Sequence, residues 1–197
     1  GERSGQPGYG SRIAWTREAS GRLLSVGTGG FYSRQNWGPG RAVDSWAATT
    51  DWELPLGQGF SVSGEFYRGR AIGTFGAGNS DTVLISGPPG ATAARVRGVN
   101  SAGGWSQLKF MPNERIEFNT AFGQDYPFNS DLRRFVHEAA TPAGIHVGRN
   151  ASGFLNSILH ARSNLLFSLE YRRIWTREFS GTRPTAGHVN VGVGVLF

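Results

Sequence analysis

Over the last ten residues, Val189, Val191, Val193, Val195 and Phe197 alternate with His188, Asn190, Gly192, Gly194 and Leu196. Successive side chains of an extended chain point to opposite faces, so this segment presents one wholly apolar face and one mostly small or polar face. With 38% hydrophobic residues in the chain, five specified positions would all be apolar about 1 time in 100. The segment reads as a β-strand, and any fold proposed for the chain has to give its valine face an apolar surrounding.

The same period recurs upstream. Leu165, Phe167, Leu169 and Tyr171 alternate with Ser168, Glu170 and Arg172, with Leu166 interrupting the polar side. Trp46, Trp52 and Leu54 oppose Ser45, Thr49, Asp51 and Glu53; Phe60, Val62 and Phe66 oppose Ser61, Ser63, Glu65 and Tyr67; Ile116, Phe118 and Phe122 oppose Arg115, Glu117 and Asn119. All have period 2 rather than 3.6. Residues 9–17 (Tyr9, Ile13, Trp15) and 105–111 (Leu108, Phe110) fit the same pattern, and residues 22–33 and 152–161 complete a set of nine strands without a clear assignment of their faces.

The connections between these strands run about 4, 10, 4, 34, 3, 28, 3 and 10 residues, so short and long alternate throughout. The short ones carry turn residues: Glu18–Gly21, Pro55–Gln58, Pro112–Glu114 and Arg162–Asn164. In an up-and-down antiparallel barrel alternate connections emerge on the same side, and outer-membrane barrels have short turns on one side and long loops on the other. A soluble sandwich has no reason to sort its connections in this way, although its core also shows alternation.

Composition narrows the classes further. The 30 glycines, about twice the usual share, are scattered among aromatic and β-branched residues rather than gathered in polar tracts, which suits strands and turns. The mean hydropathy is −0.32, and no run approaches the ~18 apolar residues of a membrane helix, but a barrel strand needs only alternation over about 10 residues. With no cysteine, thiolate chemistry and disulfides are excluded. The net charge of +6 invites a nucleic-acid partner, yet the arginines are spread along the chain without a basic helix or stripe, so none is expected. His137, His146 and His188 are too dispersed for a metal cluster, and His160 beside Ser163 lacks an orienting acid nearby, so no catalytic residue, metal or cofactor is expected. Gly73–Gly78 lacks the lysine and helix of a phosphate loop and reads as a connection.

The terminal Gly-His-Val-Asn-Val-Gly-Val-Gly-Val-Leu-Phe resembles the C-terminal assembly signal of bacterial outer-membrane β-barrel proteins, in which a final aromatic residue follows alternating apolar positions. Ser163–Arg173 and Trp105–Asn119 are similar to the repeated hairpins of porin-like members. The resemblance implies a transmembrane antiparallel up-and-down β-barrel, inserted by the barrel-assembly machinery, with Phe197 and the short turns in the periplasm. The connections near 71–104 and 124–151 then stand outside the cell. Residues 1–197 read as a single domain of about nine strands. Because single-chain bacterial barrels have even strand numbers, the chain is expected to be the C-terminal part of a larger barrel, unless residues 22–197 close as eight strands. The N-terminal Gly-Glu-Arg-Ser-Gly-Gln-Pro-Gly has no basic-then-apolar leader, leaving a mature form or a piece of a longer chain.

On this reading Val189, Val191, Val193, Val195 and Phe197 face lipid, and Trp46 and Trp175 mark an external aromatic girdle, with Trp15, Trp52 and Phe197 in a periplasmic one. The opposite parity gives the pore-lining candidates Arg12, Asp51, Glu53, Glu65, Lys109, Arg115, Glu117, Glu170 and Arg172. The expected function is a porin-like channel for passive diffusion of small hydrophilic solutes. The alternatives are a non-conducting barrel whose long loops bind a partner or lipopolysaccharide, and a soluble all-β binding module. The nine arginines of the long connections, Arg133, Arg149 and Arg177 among them, suit anionic outer-leaflet lipopolysaccharide or simply a solvated surface. Oligomeric state stays open between a monomer and a homo-oligomer.

Overall fold

The computed structural model describes residues 4–19, 21–38, 40–77, 82–86, 94–138 and 147–195. Nine strands form one antiparallel sheet in the order β1-β2-β3-β4-β7-β8-β9-β10-β11: β1 Tyr9–Ala19, β2 Arg22–Asn36, β3 Ala42–Gly57, β4 Phe60–Arg70, β7 Asn100–Asn113, β8 Ile116–Pro127, β9 Val147–Arg162, β10 Leu165–Glu178 and β11 Thr185–Val195. β5 (Val83–Ser86) and β6 (Arg95–Gly98) make a separate hairpin, and α1 spans Asn129–Glu138. Every strand pairs with the one before it in the sheet. Among the described residues β1 and β11 are paired on one side only. Each of the nine has 11 to 16 residues, enough to cross a hydrocarbon layer, which takes about 9–11 residues of a tilted strand.

The alternation of connections is preserved. Two residues join β1 to β2, β3 to β4, β7 to β8 and β9 to β10, and the other four connections are longer. The β3/β4 turn shows why glycine is needed: Gln58 and Gly59 both have positive φ, 48° and 85°, as a type I′ hairpin requires. A Cβ at Gly59 would lie 2.2 Å from the Met111 carbonyl oxygen of the neighbouring hairpin. At the β7/β8 turn, Asn113 Oδ1 accepts hydrogen bonds from the amides of Arg115 (2.9 Å) and Ile116 (3.1 Å) and closes the hairpin from its side chain.

Register and exposure together distinguish two faces. One carries Ile13, Trp15, Tyr32, Trp46, Phe66, Phe118, Phe122, Leu155, Leu169, Tyr171, Trp175 and the valines of β11, all exposed; Ile13 reaches 78% and Val191 77%. The other carries polar side chains, with Val43, Ser45 and Ser101 buried among them. Apolar residues therefore point outward, the reverse of a soluble domain, in which such side chains are the most often buried.

Strands extend further than their alternation suggested, so the connections expected at 71–104 and 124–151 shrink to 71–99 and 128–146, and both carry structure of their own. After β4 the chain reverses at Ala71 (φ 55°) and folds onto the polar face of the sheet. There the Ala71 carbonyl accepts from Ser45 Oγ (2.9 Å) and Gln35 Nε2 (3.0 Å), its amide donates to Val99 O (2.8 Å), and Val43 and Ser45 become buried. Leu84, Val99 and Leu132 pack with Phe179, tying β5, α1 and the β10/β11 connection together. Asp131 Oδ2 accepts from the amide (3.0 Å) and Nδ2 (2.8 Å) of Asn100 and anchors α1 to the start of β7.

Candidate functional site

Cross-strand register places Arg12, Asp51, Glu53, Glu65, Lys109, Glu117, Glu170 and Arg172 on the polar face. Arg115 departs from the expectation: it lies in the β7/β8 turn, exposed, because β7 runs on to Asn113 and the turn falls at Glu114 and Arg115, later than the alternation implied. Glu53 is exposed towards the two-residue-turn end. Phe197 lies outside the described residues.

Three clusters organise the remainder. Arg12 reaches across β2 to Asp51, with Nη2–Oδ1 2.5 Å and Nε–Oδ2 2.9 Å. In the middle of the sheet, Lys109 Nζ stands 3.5 Å from Glu117 Oε1, which also accepts from Asn119 Nδ2 (2.8 Å). Asn119, 7% exposed, donates to Asn156 Oδ1 (3.2 Å) and accepts from Gln107 Nε2 (2.9 Å). On β10, Arg172 donates from Nε (3.1 Å) and Nη2 (3.4 Å) to Glu170, whose Oε1 also accepts from Asn190 Nδ2 (3.0 Å), and the guanidinium lies 5.2 Å from the Phe154 ring centroid. These three charge pairs on the polar face are thus compensated in place, the two arginine pairs through two guanidinium nitrogens each. The neutral members, Gln107, Asn119, Asn156 and Asn190, were not among the candidates, although Asn119 shares the parity of Glu117.

Glu65 is different. It stands directly opposite Asp51 in register, and its side chain makes no hydrogen bond or ion pair among the described residues. It faces a cleft of about 610 Å³ between the loop end of the polar face and the segment Ile72–Ala77. Phe31, Tyr67, Phe75 and Trp105 wall this cleft, with Phe31 and Phe75 edge to face at 5.0 Å between ring centroids. Among the described residues, Glu65 and Asp125 are the charged ones in its lining. The volume is that of a small-molecule site. Trp105 was not a candidate, although it shares the parity of Lys109; its pairing with Glu65 sets it on the polar face.

No family model matches the chain, and no curated protein matches it. Among solved structures the fold is similar to that of the outer membrane channel DcaP of Acinetobacter baumannii, with a TM-score of 0.71 at 11% sequence identity. The match covers 98% of this chain and 52% of that one, so the chain spans about half the length of the channel it resembles.

Proposed function

We propose that the chain supplies nine strands to the wall of a bacterial outer-membrane channel for passive diffusion of small hydrophilic solutes. The observation that carries this reading is the inverted distribution of side chains: an exposed apolar face opposite a face of compensated charges and amides. In a bilayer an unpaired backbone group costs several kcal/mol, so the free sides of β1 and β11 need further strands. An even-numbered ring larger than nine fits both that requirement and the half-length match to a channel. The two-residue turns and Phe197 then lie in the periplasm, where the barrel-assembly machinery reads the terminal aromatic, and the 71–99 and 128–146 connections lie outside. The aromatic cleft with Glu65 and Asp125 narrows the lumen at its external end and favours neutral or cationic solutes over anions.

A barrel sealed by its inward-folded loop is the second reading, favoured by the burial of Val43 and Ser45 beneath the 71–99 connection. Single-channel recording across planar bilayers separates the two. Discrete conductance steps are expected, larger in Trp105→Ala, which removes a ring from the cleft wall. A protein that inserts and never conducts overturns the channel. A protein that purifies as a water-soluble monomer, with no detergent requirement and no heat-dependent gel migration, overturns the membrane placement.

A further inference from the structure

At the loop end of β9 and β10, on the apolar side of the wall, Arg149 and Arg177 stand directly opposite each other in the register. Like charges facing across adjacent strands are destabilising. Arg133 of α1 joins them in lining a pocket of about 390 Å³. Among the described residues none of the three makes an ion pair. Arg149 donates to the neutral Gln124 side chain, and the one carboxylate in the pocket, Glu178, accepts from Ser180 Oγ (3.1 Å). Three exposed guanidinium groups thus line one concave polar surface against a single carboxylate among its described lining residues, Glu178, with which none of them forms an ion pair.

The height of this pocket says which anion it meets. Arg177 lies two residues beyond Trp175 on the same face, and Arg149 two beyond Ala151, the partner of Trp175. At about 3.4 Å per residue this sets the Cα atoms of both arginines about 7 Å further along their strands towards the loop end. Trp175 packs at 6.5 Å from Phe122, both exposed, as a girdle pair at the membrane boundary. We propose that Arg133, Arg149 and Arg177 form a binding site for the phosphate of an outer-leaflet glycolipid, the lipid A portion of lipopolysaccharide. The height assignment rests on the membrane placement above. The planar donors of arginine match phosphate oxygens bidentately, and a bound phosphate turns the Arg149/Arg177 opposition from repulsive to attractive.

The test is native mass spectrometry of the detergent-extracted protein titrated with bisphosphorylated lipid A, dephosphorylated lipid A and inorganic phosphate. Retention of the bisphosphorylated lipid is expected, with a fall of tenfold or more in affinity for the Arg149→Gln/Arg177→Gln variant and for dephosphorylated lipid, since the loss of a single charge-assisted contact is worth about tenfold. Arg149→Lys/Arg177→Lys keeps the charge, is expected to bind more weakly than the native protein and more tightly than the glutamine pair, and guards against a folding defect. Equal binding of both lipids overturns the proposal, as does inorganic phosphate displacing the lipid at equal concentration, which would make this a soluble-anion site. Because the conductance steps of the glutamine pair are read in parallel, failure of the lipid site is distinguishable from failure of the channel.

Discussion

Arg12 and Asp51 form their ion pair across a strand that belongs to neither of them. The guanidinium on β1 passes over Gly27 of β2 to reach the carboxylate on β3, and a Cβ at position 27 would lie 2.6 Å from Arg12 Nη2 and 2.7 Å from Asp51 Oδ2. Both obstructing atoms are the far ends of side chains, so Gly27→Ala is accommodated by swinging Arg12 away, at the expense of the pair. Gly27→Ala and Asp51→Asn are therefore expected to remove the same interaction. Each lowers the thermal unfolding midpoint in detergent slightly, and the double variant lowers it no more than either single one. Two losses that add would show that Gly27 acts on something other than this pair.

Asn119 is expected to matter more than its charged neighbours. It is nearly buried and links Gln107, Glu117 and Asn156 across three strands, so truncation strands several polar atoms in a poorly hydrated position. Asn119→Ala is expected to cost about 1–3 kcal/mol, the usual penalty for unsatisfied buried partners. Asn190→Ala, at an exposed position with one hydrogen bond to Glu170, should stay within about 0.5 kcal/mol. Denaturant titration in micelles measures both, and equal costs would mean that the central amide cluster is solvated rather than structural.

How far the sequence discloses this arrangement depends on whether a strand announces its faces through its own side chains. β11 does, because valines on one face and small residues on the other leave nothing to arbitrate, and the pairing of Val189–Val195 with Leu165–Tyr171 follows the expected parity. Leu166, which interrupts the polar side of β10, has a cross-strand reason: it lies over Gly194, where a Cβ would stand 2.8 Å from its Cδ1. The start of β7 is illegible, since Asn100–Gly104 carries no large apolar side chain; Gly103 is needed because the Tyr67 ring occupies the space of a Cβ, 2.6 Å from its Cε1. α1 is too short to be stable alone. It is held instead by Asp131 on Asn100 and by Leu132 in the loop cluster with Leu84, Val99 and Phe179, contacts between residues distant in the chain. Charged members of the polar face follow from parity, whereas the aromatic cleft does not, because Phe31, Phe75 and Trp105 take their meaning from a loop folded back onto the sheet.

The sharpest consequence of the inverted faces concerns Val191. Its side chain is 77% exposed in the isolated chain, and substitutions at exposed positions of a water-soluble protein usually change stability by less than about 0.5 kcal/mol. If that face meets hydrocarbon instead, an arginine there must be dehydrated or drag water inward, and near the midplane of a barrel this costs about 2–4 kcal/mol. Val191 is central in β11, which runs from Thr185 to Val195, and so has no short route by which a guanidinium escapes to the headgroups. Val191→Arg is therefore expected to lower the folding free energy into lipid bilayers by that amount, while Asn190→Arg, one residue away on the polar face, changes it little because the group stays hydrated. The difference between the two variants removes any effect of the backbone position. Equal effects would place water on both sides of the sheet and return the fold to a soluble one; a large, one-sided penalty is what a lipid-facing valine row requires.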